Sequence, residues 1–211
     1  MAVRSAAKPR GHVAAAVITL AVSACAARNS PPDAYLLVHS AIPASSSHVT
    51  VCNRAGCEET AQVQFSQADW RRIEQLFTPR AADSEAERSQ IGSAIALMER
   101  LAGPQAGTFD DQPAGQGVFR GTRQLDCVAE TNNTTVYLLL LEHQGLLLRH
   151  RTGYPQHRGL LSLQAPHNTA VLIENATGKR FAVDAYFHAN GQAPEIVPLD
   201  TWSRGYTPQD R

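Results

Sequence analysis

The sequence predicts an α+β fold, with helices in the first two thirds of the chain and an antiparallel β run behind them. Three observations carry this. Trp70, Ile73 and Phe77, then Ile91, Ala94, Ile95, Met98 and Leu101, recur at helical spacing. After residue 146 the pattern changes to short segments rich in apolar and β-branched residues: LLLRHRT, GLLSLQA, HNTAVLIEN and KRFAVDAYF. Asn175-Ala176-Thr177-Gly178 is a turn that folds the last two of these back on each other. Elements segregated in this way, not alternating, define the α+β class.

At the N-terminus, residues 1–12 carry Arg4, Lys8 and Arg10 and no acid, and residues 13–24 are VAAAVITLAVSA. That run has the length of a signal-peptide core and is too short to span a bilayer. Val22-Ser23-Ala24-Cys25 resembles a bacterial lipobox. The resemblance implies cleavage before Cys25, lipidation of Cys25 and an acylated N-terminus. Ala26, where an aspartate is absent, resembles the outer-membrane sorting pattern, so the expected location is the cell envelope, facing the periplasm. An ordinary signal peptide cleaved near Ala24 or Ala27, or a short buried helix, are the alternatives. Without residues 1–24 the chain keeps 16 basic and 19 acidic residues among 187. That balance leaves no electrostatic footprint for nucleic acid. The size suits one domain.

Residues 25–34 then form a lipid-anchored tether, and 35–211 the domain. YLLVHSAI (35–42) is expected as a strand. VTVCNRAGCEETAQV is a hairpin, with Asn53 to Gly56 as its turn. Ser66 precedes a helix that Pro79 ends. Asp83 or Ser84 caps a second helix reaching Leu101, stopped by Gly103-Pro104. Residues 103–122, with five glycines and two prolines, form a long loop. Asp126 caps a helix from Cys127 to His143, with Gly145 beyond it; its middle, Asn132-Asn133-Thr134-Thr135, holds poor helix formers. PEIVPLDTW (194–202) is a last strand or an extended tail.

Four cysteines sit in this frame. Lipid takes Cys25. Cys52 and Cys57 flank the hairpin turn and are expected to form a disulfide; half of a metal site is the competing reading, and no second Cys/His pair of suitable spacing completes it. Cys127 is left over, at a helix N-terminus, where unpaired N–H groups and the helix dipole stabilise a thiolate. Adjacent Asp126 opposes that effect, so activation requires a histidine. Register selects one from five downstream. With Asn175–Gly178 as a four-residue loop, paired positions sum to 353, and Asp184 becomes the diagonal neighbour of His167 on one sheet face. Cys127 as nucleophile, His167 as base and acid, and Asp184 as orienter would pass an acyl group through a thioester to water or an amine, with no metal or cofactor. Gln124 and Asn168 are candidates for a second oxyanion donor.

This order of residues on these elements resembles the bacterial transglutaminase-like cysteine peptidase group of the papain-like superfamily. The match covers about residues 115–202: QLDCVAETNNTTVYL, PHNTAVLIEN, KRFAVDAYF and PEIVPLDTW. Asp126 and Val128 stand where many members have glycine or alanine before the cysteine and tryptophan after it. The resemblance implies a papain-like core, with the Cys127 helix packed on an antiparallel sheet and a peptide, amide or cell-wall substrate in the cleft between them. The alternative is an inactive envelope lipoprotein of the same fold that serves as a binding or assembly module. Other site classes are weaker. His150 and His157 lie among Arg149, Arg151 and Arg158 as a solvated basic patch, and Gly115-Gln116-Gly117 lacks the βαβ unit of a dinucleotide loop.

Overall fold

A computed structural model describes residues 30–38, 48–118, 122–159 and 164–208. The leader, Cys25 and most of the expected tether lie outside the described residues. The first described helix, α1, is Pro32–Val38. A strand was the expectation for 35–42. Pro32 and Asp33 in the first turn favour a helix start instead, and the N–H of Ala34 already bonds the Pro31 carbonyl. The helix therefore begins inside the segment expected as tether.

Strands β1 (Val49–Cys52) and β2 (Thr60–Val63) pair antiparallel as the expected hairpin. Cys52 and Cys57 are joined in a disulfide, so the half-metal-site reading is set aside. Helix α2 (Gln67–Gln75) starts at a reciprocal capping box, Ser66 with Asp69. Helix α3 starts after the Asp83 cap and runs Ser84–Ala106, a turn beyond the expected stop. Pro104 sits in its last turn, where it offers no N–H to the Arg100 carbonyl. The helix ends at Gly107, whose left-handed φ of 76° directs its N–H to the Gly103 carbonyl.

Helix α4 is Cys127–His143, capped by Asp126 as the sequence predicts. Three of its four weak helix formers have side-chain bonds. Asn133 Oδ1 accepts the Cys52 backbone N–H at 2.6 Å, and its Nδ2 donates to the Cys52 carbonyl at 2.9 Å. One side-chain amide thus clamps the hairpin to the helix. The Asn132 Nδ2 and Thr135 hydroxyl donate back to the carbonyls of Val128 and Thr131.

The main sheet is antiparallel, in the order β3-β4-β5-β6: His150–Arg158, His167–Glu174, Arg180–Asp184 and Glu195–Pro198. The expected strand at 146–152 starts later and runs further, because Leu146 and Leu147 are core residues ahead of it. It passes Pro155 through a register shift between Gly153 and Gln156; an edge strand with a bulge tolerates proline. At Gly153 a Cβ would stand 2.8 Å from Val171 Cγ1, so only glycine lets β3 approach β4 there. Most of the strand expected at 159–165 lies outside the described residues. Segment 194–202 divides into β6 and a short helix, α5 (Leu199–Ser203).

The β4–β5 pairs Ala170↔Val183, Val171↔Ala182, Leu172↔Phe181 and Ile173↔Arg180 all sum to 353, the register the sequence predicts. Ala170, Leu172, Phe181 and Val183 join α3 and α4 in the main core. The opposite face, Val171 and Ala182, is covered by Leu199 and Trp202 of α5. The protein is thus α+β with antiparallel sheets, and Pro31–Arg211 forms one compact unit. Among the described residues no helix is long and apolar enough to cross a membrane.

Candidate active site

Cys127 is the first residue of α4, so its N–H has no intrahelical acceptor. Asp126 serves the next turn: its Oδ1 accepts the Ala129 N–H at 3.0 Å and its carbonyl the Glu130 N–H. The thiol is half-buried and outside the disulfide. His167 opens β4, and Asp184 closes β5. The register sets them diagonally, and His167 Nε2 lies 2.8 Å from Asp184 Oδ2. The other ring nitrogen is left for sulfur, and the Cys127 side chain lies near enough to raise the pKa of the imidazole. The structure therefore brings together Cys127, His167 and Asp184.

The imidazole is held on every side. Asp184 Oδ2 also accepts the Trp202 indole N–H at 2.7 Å, and Trp202 stacks on the His167 ring with centroids 5.6 Å apart. Tyr186 and Phe187 pack against it at 4.9 and 5.3 Å. Trp202 is fully buried, as a core anchor should be, but its N–H also fixes the carboxylate. Burial by itself would lower the pKa of His167. The hydrogen bonds to Asp184 and Cys127, with the negative charge of both, outweigh burial and raise it to about 9. Imidazolium thus persists beside the sulfur through neutral pH.

Gln124 is not seen at the sulfur. Its Oε1 accepts the Gln112 N–H at 2.7 Å and its Nε2 donates to the Asp110 carbonyl at 3.2 Å, which fastens the 110–112 loop. These two bonds use the amide oxygen and one of its two N–H groups. The side-chain amide beside the sulfur belongs to Asn168, with Nδ2 3.9 Å from Cys127 Sγ.

Several neighbours were not legible in the sequence. Tyr35 of α1 meets Tyr154 edge-on at 5.9 Å. Its pKa is pushed up, first by burial and then by the charges of Cys127, Tyr154 and Asp126, so α1 borders the thiol. The Arg158 guanidinium lies 4.5 Å over the Trp202 ring, within the field of Asp184 and Cys127. Nothing in their spacing marks residues so far apart as neighbours. Three buried acids meet near the start of α4: Glu99 of α3, Asp111 from the loop and Glu130 of α4 itself. Burial raises Glu130 well above the carboxylate range, so it keeps its proton and donates it to Asp111. A neutral Glu130 adds no negative charge one turn from the thiol. Glu99 accepts the Gly191 N–H at 2.8 Å and is raised to about 8, mainly by burial.

The Glu99 shift has a stability consequence. The folded protein keeps a proton that the unfolded chain releases near pH 4.5, so stability falls as pH rises from there to about 8. The slope is at most about 1.4 kcal/mol per pH unit. Glu99→Gln keeps an acceptor for Gly191 without the titration. Its urea midpoint should depend less on pH and exceed the wild-type value at the upper end of that range.

Compared with known proteins, the chain matches no family model, no curated protein and no solved structure.

Proposed function

We propose that the protein is a cysteine hydrolase or acyltransferase that cleaves an amide through a thioester on Cys127. The observation that carries this reading is the imidazole–carboxylate pair at 2.8 Å, placed within the influence of a sulfur at a helix N-terminus. His167 takes the thiol proton, and the thiolate attacks the carbonyl carbon. Imidazolium returns the proton to the departing amine. Water or a second amine then releases the acyl group. Asp184, braced by Trp202, holds the ring and its charge. The arrangement of a cysteine helix against an antiparallel sheet supports a papain-like core of the transglutaminase-like kind. The VSAC sequence at residues 22–25 supports a lipid anchor at Cys25 and a cell-envelope location, which makes a peptide or cell-wall amide the substrate class.

An activated ester tests the chemistry without the natural substrate. The protein should release nitrophenolate from p-nitrophenyl acetate over several turnovers, and added hydroxylamine should yield the hydroxamate. Cys127→Ala should abolish both. Turnover of an anilide, whose departing amine needs a proton, should decline as pH rises through about 9, where imidazolium loses the proton it gives to the leaving group. Release that Cys127→Ala leaves intact would count against the proposal. Labelling of Cys127 only after denaturation would favour the binding or assembly module.

A further inference from the structure

We propose that Asn168 is the side-chain oxyanion donor of this site and that His157 positions it. The proposal rests on the thioester reading above and says which group receives the charge that develops. Three placements carry it. Asn168 follows His167 on β4, so its side chain points to the opposite sheet face, the face that Ala170 and Leu172 turn toward α4. Its Nδ2 stands 3.9 Å from Cys127 Sγ. Its cross-strand partner on β3 is His157, whose Nδ1 is 2.9 Å from Asn168 Oδ1.

The sulfur and His157 together set which end of the amide faces the sulfur. A side-chain amide has one donor end and one acceptor end. With Nδ1–H of His157 donating to Oδ1, the NH2 group must point toward Cys127. The reverse orientation would turn a carbonyl oxygen toward a thiolate and require the other His157 tautomer, with Nδ1 accepting. His157 is exposed and has no other role in the triad.

The step it serves balances. A C–S bond forms as the thiolate attacks, and the carbonyl π pair moves onto oxygen. That oxyanion accepts hydrogen bonds from the Cys127 backbone N–H, at the start of α4, and from Asn168 Nδ2–H. The pair then returns to re-form the carbonyl as the leaving group departs with the proton held by His167. Neither donor is consumed. A separation of 3.9 Å from sulfur is long for a bond to the thiol itself. It leaves the amide beside the sulfur, where the oxygen of an added acyl group can meet it.

Two probes of one sulfur test this. Iodoacetamide alkylates the thiolate by displacement and forms no oxyanion; p-nitrophenyl acetate acylates it through one. In Asn168→Ala, acylation should fall about 10²-fold, with alkylation close to the wild-type rate. Asn168→Asp keeps the volume and the acceptor for His157 but puts an anion where the donor stood. It should be at least as slow in acylation, and it controls for folding. His157→Ala should lose less, about tenfold, because the amide is then free to turn. His157→Asn should restore most of the rate, since its Nδ2 occupies the place of the imidazole Nδ1. The proposal is overturned if Asn168→Ala slows both probes alike, which would make Asn168 a partner of the thiolate, or slows neither. A wild-type sulfur that neither probe modifies would overturn the thioester reading as well, an outcome distinct from either of those.

Discussion

His167→Ala will reduce kcat/KM for an activated ester by about 10³–10⁴-fold while the protein stays folded. In the proposed mechanism the imidazole is the group that moves protons, and no other histidine among the described residues is placed at Asp184 and the sulfur to replace it. Asp184 already bonds Trp202, and His157 is held by Asn168. Removing the ring opens a space among Tyr186, Phe187 and Trp202, so a small loss of stability is expected as well. Far-UV circular dichroism and the urea midpoint separate the two effects. A loss of rate matched by unfolded protein would remove the support for a catalytic role. The same measurement on Asp184→Asn should show a smaller but large loss, with the Trp202 indole then facing an amide in place of a carboxylate.

Asn133→Leu will destabilise the fold by about 3–4 kcal/mol, seen as a lower urea midpoint. Leucine has a similar volume and a better helix propensity, so propensity alone predicts stabilisation. The structure predicts the opposite. Asn133 satisfies both backbone groups of Cys52, at 2.6 and 2.9 Å, and these groups are buried beneath the hairpin. Orphaning each costs about 1–3 kcal/mol, several times the propensity gain of a few tenths. Asn133→Asp makes a useful contrast, since it keeps the acceptor for the Cys52 N–H and loses only the donor. A midpoint raised by Asn133→Leu would show that the clamp adds nothing.

The sequence was most legible where one local rule had no competitor. Asp126 and Ser66 stand at helix starts because their side chains cap, and both do so. The four-residue turn at 175–178 fixed a register, and with it the meeting of His167 and Asp184, from side-chain period alone. Legibility failed where two rules conflicted. Gly103-Pro104 signals a stop, but the helix carries both through its last turn and Gly107 supplies the cap. YLLV is apolar and strand-like, but Pro32 and Asp33 ahead of it start a helix. Tyr154-Pro155 lies inside a strand that a proline would be expected to end, because β3 is an edge with a bulge.

The site divides in the same way. Cys127, His167 and Asp184 are visible because their chemistry is uncommon and their elements are well marked. Gln124 drew attention through proximity in sequence, whereas Asn168 stands beside the sulfur by tertiary packing. Tyr35 and Trp202 belong to the first and last described helices, and only folding brings them to the site. The Glu99, Asp111 and Glu130 cluster is scattered over separate elements and looks like ordinary surface charge until burial is known.

The central claim is that a sulfur, an imidazole and a carboxylate act as one unit on a carbonyl. Its most direct test is peptide mapping after a brief, substoichiometric exposure of folded protein to p-nitrophenyl acetate at neutral pH. The account predicts one acetyl group, carried on Cys127 as a hydroxylamine-labile thioester, at a level that falls sharply in His167→Ala. Acetylation spread over lysines with Cys127 unmodified, or the same adduct level with and without His167, would contradict it.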